Sequence, residues 1–355
     1  MNSREITLIG PEGTNLFVFF QFLIFNLISW FNLYLLENTL EFNLNNVVFR
    51  QIIFSLLGVA VFFLFTYISI NNIYNLSEVL LFSSTVLLFG VLFTQESLGA
   101  RRRYDLGIID VQPSEFTKII LVIVIAKFLA ESSKNIWIIA GVIANVLLIF
   151  LQPDLGTTLI LLILIFLLMF ISSTRIIFLV TSLISSFFGF LALLELNLVN
   201  RFQVKRITDF YSDIQDFSQT QARLQISLGG LTGQSIDENI SIFVPVQTTD
   251  FIFSAFSKNF GFLGNIMLFS LWVLFALRVR RLILKSDYVF EKFLLSGFIM
   301  LFFIQIFINV FTVLGLIPLT GDPFPLLSLG GSSILATSAA FGIINRSFIE
   351  NNLTI

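Results

Sequence analysis

Apolar runs of about 20 residues alternate along this chain with short polar breaks, the length a helix needs to cross a bilayer. Read this way, the sequence predicts about ten spans, beginning near Asn15, Val47, Glu78, Ser114, Ile136, Thr157, Arg175, Phe260, Val289 and Ser332. A β-barrel would need short segments of strict alternation, and none is seen. The expected fold is therefore all-α: a single polytopic membrane domain over residues 1–355. The longest polar stretch, residues 198–250, is rich in Gln, Ser, Asp and Gly and forms a large loop between the seventh and eighth predicted spans. Loops of that length usually carry function or are disordered. The first run is too long for a signal peptide and lacks a small-residue cleavage pattern, so it is expected to stay as an anchor.

With both ends on one side, the connections holding Arg101 to Gln112, Pro153-Asp154, Arg201 to Asp250 and Pro318 to Ser328 share a face. The stretch Arg278 to Lys285 reads as a compact cationic loop on the other face, and by the positive-inside rule it places the shared face outside. Lys and Arg otherwise divide evenly between the faces. The outward cations Arg101, Arg102, Lys118, Arg201, Lys205, Arg206 and Arg223 are read as serving an anionic ligand rather than as topology markers.

Composition narrows the chemistry. Hydrophobic residues make up 56% and charged residues 12% of the 355 positions, with a mean hydropathy of +0.94, far from a soluble domain. A net charge of −2 with no extended basic face excludes a nucleic-acid footprint. Cys and His are absent, which removes thiolate chemistry and the usual neutral-pH base. A proton acceptor then has to be a carboxylate, with Lys the weaker candidate. The 45 Phe fit the composition of an A+T-rich genome better than an aromatic site.

Charge at membrane depth is costly, so polar clusters opening apolar runs are candidate sites. Three stand out: Gln112-Pro113-Ser114-Glu115-Phe116-Thr117-Lys118, Gln152-Pro153-Asp154-Leu155-Gly156-Thr157, and Thr249-Asp250-Phe251-Ile252-Phe253. Each has a plain alternative. Glu115 and Lys118, three apart, can pair with each other. Asp154 follows Pro153 and can cap the next helix, and Thr249 or Asp250 can do the same. Arg101, Arg102 and Arg103 suit a phosphate or pyrophosphate, or lipid headgroups. The run Pro318 to Ser333 belongs to the wall of the site in either reading. Ser-Leu-Gly-Gly occurs at 227–230 and 328–331, as two cavity-lining tips or as chance recurrence.

Taken together, these segments resemble the SEDS family of bacterial cell-wall polymerases, the FtsW, RodA and SpoVE group. The motifs in order are Gly99-Ala100-Arg101-Arg102, Gln112 to Phe116, Gln152 to Thr157, Gly229-Gly230-Leu231, Thr249 to Phe253, Gly261-Phe262-Leu263-Gly264 and Ser328 to Ser333. The resemblance implies ten membrane helices with both termini cytoplasmic, in the bacterial cytoplasmic membrane. It implies a peptidoglycan glycosyltransferase that polymerises lipid II for elongation or division, beside a class B penicillin-binding protein. It also makes Asp250 the essential residue, a base for the acceptor 4-hydroxyl, with Arg101, Arg102 and Lys118 on the leaving undecaprenyl pyrophosphate. Glu115, Asp154, Thr249 and Ser332 complete the substrate site. A divalent cation, Mg²⁺ or Mn²⁺, is open as a cofactor, and no spacing demonstrates a metal site. The chain departs from the family pattern at Arg103, Val246, Thr248, Lys258, Asn259 and Leu329. A flippase for the same polyprenyl-linked sugar, or a catalytically weak scaffold for the penicillin-binding protein, stay open as alternatives.

Overall fold

Helices dominate because the apolar runs must satisfy every backbone amide internally once water is excluded. The computed structural model describes residues 15–39, 46–95, 101–105, 107, 110–131, 135–172, 204, 206, 208, 210, 216–234 and 242–351. In chain order these hold α1 (Leu16–Thr39), α2 (Val47–Tyr67), α3 (Ile70–Val91), β1 (Tyr104–Asp105) and β2 (Asp110–Val111), then α4 (Pro113–Ala130), α5 (Ile136–Leu151) and α6 (Leu155–Ile171). There follow α7 (Phe217–Gly229), α8 (Ile252–Lys285), α9 (Val289–Val313) and α10 (Gly331–Glu350). Helices α1, α2, α3, α8 and α9 are long and apolar enough to cross a membrane, while α5 and α6 are apolar but shorter.

Bulky apolar side chains such as Phe49, Phe82 and Trp137 stand exposed on the outside of the bundle, as expected of a surface solvated by lipid. Helix α10 is the inverse, buried along nearly its whole length from Ser332 to Ile349. Small residues bring it close to α2: a Cβ at Gly58 would lie 2.7 Å from Ser338 Oγ, and one at Gly342 would overlap the Phe62 carbonyl. Aromatic packing fills the centre, with Phe275 stacked on Phe341 at 4.6 Å and Phe25 on Trp272 at 4.4 Å. The phenylalanines among the described residues thus serve packing and the lipid-facing surface.

The bundle has two polar ends. One gathers the β1–β2 hairpin, the starts of α4, α6 and α10, and the connection from α9 to α10. The other gathers the α8–α9 turn, the start of α3 and the end of α10. The backbone amide of Asn15 donates to Asn345 Oδ1 at 3.0 Å, so the first and last described residues share that second end.

Three boundaries differ from the sequence expectation, each for a local reason. Helix α3 starts at Ile70, ahead of Glu78, because Ser69 caps it through Asn72 N at 3.2 Å and its polar first turns read as loop. Helix α8 starts at Ile252 rather than Phe260. Its apolar run resumes after a kink at Gly261, where φ is 64°. The amides freed by the kink, Phe262 N and Leu263 N, donate to Gly230 O and Leu231 O at 2.9 and 3.0 Å. The stretch Arg278 to Lys285 is the end of α8, not a loop, and Arg278 lies over the Phe17 and Phe348 rings at 5.5 and 5.9 Å. The repeated Ser-Leu-Gly-Gly closes α7 in one copy and opens α10 in the other. The span expected from Arg175 lies outside the described residues, as do Arg201 and Lys205.

Candidate functional site

The hairpin residues Tyr104 and Val111 pair, as do Asp105 and Asp110, in a short antiparallel ladder. This ladder delivers Arg102 to the start of α6. Arg102 donates to Pro153 O and, at 3.4 Å, to Gln152 O, and its Nη1 lies 3.8 Å from Asp154 Oδ1. Asp154 is buried and does cap α6, accepting from Thr157 N at 3.3 Å. Pro113 at the first turn of α4 fixes its start, and Glu115 and Lys118 form a buried pair at 2.9 Å. Both plain readings therefore hold for these residues. Removing one member of a buried pair costs about 3–5 kcal/mol, so Glu115 and Lys118 first of all hold the wall. Ser332 joins the hairpin to α10: its hydroxyl accepts from Gln112 N at 2.9 Å and donates to Asp110 O at 3.2 Å.

Asp250 behaves differently from Asp154. The cap position of α8 is Phe251, with no side-chain bond to the helix amides, so the Asp250 carboxylate is not consumed as a cap. The turn before it is tightly wound. Val246, a β-branched residue at φ 55°, is held in the left-handed region that such residues rarely adopt. Its carbonyl receives Thr249 N and Asp250 N at 3.2 and 3.1 Å, and the Thr249 hydroxyl at 3.3 Å. Burial raises the Asp250 carboxyl above its usual range, while a hydrogen bond from Thr249 and the charges of Arg103, Arg102 and Arg206 pull it back. Asp250 is not among the ion-paired carboxylates of the described residues. The result is a carboxylate facing several cations and neutralised by none of them.

The α9–α10 connection closes the site. Asn309 Nδ2 donates to both Asp250 O and Asp322 O at 2.9 Å. Ser328 Oγ donates to Thr249 O at 2.6 Å, and Leu329 N to Thr248 O at 2.8 Å. Gln219 from α7 bridges Thr312 O and Ile317 O at 2.8 and 3.0 Å. A Cβ at Gly321 would lie 3.4 Å from Asp250 Oδ2, so this connection runs directly beside the Asp250 carboxylate. Arg101 lies outside these contacts. It is exposed and donates to Leu92 O at 3.0 Å. Asn309 carried no sequence signal, since an amide inside an apolar helix is a common packing residue, and Gln219 lay in the polar stretch read as the large loop. Asp322 was visible only as one acid in a proline-rich run.

A family model described as a cell cycle protein, FtsW/RodA/SpoVE, matches residues 14–352. The chain belongs to this family. Stage V sporulation protein E of Bacillus subtilis (strain 168) is 30% identical over 313 residues, covering 83% of this chain and 85% of that protein. Peptidoglycan glycosyltransferase MrdB of Escherichia coli (strain K12) is 31% identical over 261 residues, 70% of each chain. Among solved structures, one chain of a peptidoglycan synthase complex described as coordinating polymerization and crosslinking superposes with a TM-score of 0.77 at 25% identity. It covers 96% of this chain and 99% of that one. Thermus thermophilus RodA gives a TM-score of 0.70 at 26% identity, with 95% and 97% covered. This FtsW/RodA/SpoVE chain is thus a helical, multi-pass membrane protein. Two of its departures are absorbed by packing: Asn259 donates to Asn32 of α1 at 2.9 Å, and Lys258 is buried with its carbonyl accepting Gln234 N at 2.8 Å.

Proposed function

We propose that this protein is a peptidoglycan glycosyltransferase that polymerises lipid II at the outer face of the bacterial cytoplasmic membrane, with both termini cytoplasmic. The single observation that carries the mechanism is Asp250: uncapped, half-buried, raised in basicity by burial and faced by cations. Its carboxylate takes the proton from the acceptor 4-hydroxyl as that oxygen forms the bond to the donor's anomeric carbon. The bond from that carbon to the undecaprenyl pyrophosphate breaks with inversion, and the leaving group carries away the electron pair. Arg102, Arg103 and Arg206 supply the positive field in which that anion develops. Thr249 hydrogen-bonds the base, while Glu115, Lys118, Asp154 and Ser332 keep the wall in register. Among the described residues no group of three or more Asp, Glu, His or Cys side chains is disposed to hold a metal ion, and no step is routed through one.

The fold-level likeness to a polymerising and crosslinking complex supports a class B penicillin-binding protein as the working partner. The test is glycan-chain formation from labelled lipid II by the purified protein, alone and with that partner, for wild type and Asp250→Ala. Polymer from wild type and none from the folded variant supports the enzyme and its base together. No polymer from folded, partner-bound wild type refutes the reading.

A further inference from the structure

Asp322 is the acid of this cluster to which the proposed transfer assigns no task. It lies in the α9–α10 connection, 3% exposed. Thr157 Oγ1 donates to its Oδ1 at 3.3 Å, and its Oδ2 has no hydrogen-bond partner among the described residues. No ion pair of the described residues includes it. The cations nearby are already engaged: Arg102 by Asp154 and Lys118 by Glu115. An ionised carboxylate in such a place is expensive, and a carboxylic acid is far less so.

The contacts of Asp322 reach two elements at once. Its carboxylate packs against Gly156 at the start of α6 so closely that a Cβ there would overlap it. Its carbonyl shares the Asn309 amide with the carbonyl of Asp250, and its neighbour Gly321 abuts the Asp250 carboxylate. The groups facing it are Asp154 and Thr157 from α6, Glu115 and Lys118 from α4, Arg102 from the hairpin and Asn309 from α9.

We propose that Asp322 is a positioning residue for Asp250, an uncharged acid that seats the α9–α10 connection on the start of α6 and so fixes the base. This rests on the reading of Asp250 as the transfer base. The electrostatics agree. Burial raises the Asp322 carboxyl well above the usual carboxylate range, Asp154 and Glu115 add to the shift, and Lys118 and Arg102 oppose it. Once ionised, Asp322 repels Asp154 across the Gly156 contact, the connection lifts from α6, and Asp250 loses its place.

The experiment compares full-length wild type and Asp322→Asn for lipid II polymerisation and thermal unfolding across pH. The amide keeps the shape and never ionises. Asp322→Asn is expected to keep polymerising over the pH range in which wild type loses activity by ionising Asp322, so that its profile stays flatter as pH rises through the folded-state pKa of Asp322. The folded-state pKa of Asp322 lies above the unfolded one. Its share of stability is therefore fully present below the unfolded value and is lost as pH rises through the folded one. The wild-type unfolding midpoint is thus expected to fall over that window and the Asn variant's to stay flatter. An Asn profile that falls with rising pH as the wild-type one does, or a folded Asn variant inactive at every pH, overturns the proposal. If wild type makes no polymer, the glycosyltransferase reading fails instead, and identical unfolding profiles would still remove Asp322 as an uncharged seat.

Discussion

Glu291 and Asp322 are both buried carboxylates in this bundle, 2% and 3% exposed, at opposite ends. Glu291, at the end shared by the first and last described residues, accepts from Ser286 Oγ, Ser347 Oγ and Asn351 Nδ2. Each of its oxygens has a donor, and the donors come from the α8–α9 turn and the end of α10. Among the described residues, Asp322 has a single hydroxyl donor and one oxygen with none. A carboxylate surrounded by donors ties elements together at any pH at which it is charged. One left short of donors and crowded by other acids stores a charge-dependent instability. The satisfied end anchors the bundle, and the unsatisfied end holds the proposed site.

The sharpest probe of that contrast is Asp250→Asn, which removes the proposed base and leaves its surroundings. Polymerisation is expected to fall by roughly 10²–10⁴-fold with the unfolding midpoint unchanged, measured as chain formation per folded protein. In wild type the raised Asp250 carboxyl should make activity fall with decreasing pH before the ordinary carboxylate range is reached, because the base must be ionised. Glu291→Ala is the mirror experiment. Stranding two buried hydroxyls and the half-buried Asn351 amide is expected to cost about 1–3 kcal/mol of stability, seen as a lower unfolding midpoint, while activity per folded molecule holds. The comparison breaks if Glu291→Ala abolishes turnover in protein that is still folded.

Smaller effects refine it. Asn309→Ala removes the amide shared by the Asp250 and Asp322 carbonyls, and a drop of roughly tenfold in polymerisation is expected, read as a kcat loss. Arg101→Ala is expected to stay within about twofold of wild type, since its exposed side chain donates to the Leu92 carbonyl and pairs with no carboxylate of the described residues.

Much of the bundle was legible in one dimension because lipid imposes a one-dimensional rule: long apolar runs, polar breaks and internally satisfied backbone. The starts of α1, α2, α5 and α9 fell at or next to their predicted positions for that reason. Where hydropathy and hydrogen bonding disagree, the reading slipped. The polar first turns of α3 looked like loop, and the segment of α8 before Gly261 looked like the end of the large loop. Local chemistry was equally readable, since capping by Asp154 and pairing of Glu115 with Lys118 need only neighbours three residues away.

Those same local rules offered Asp250 the role Asp154 has, and only tertiary structure separated the two. In the folded chain Asp154 is spent on its helix, while Asp250 sits in a strained turn with Phe251 at the cap position. Nor could spacing show that Asp322 would pack on Gly156, or that Asn309 would hold two loops at once. By itself the sequence determined most of the apolar helices, the Asp154 cap and the inventory of a His- and Cys-free chain, because these depend on solvent and on near neighbours. Only the tertiary structure decided which carboxylates are satisfied and which are left short of donors, because burial and donor supply are set by residues far apart in the chain.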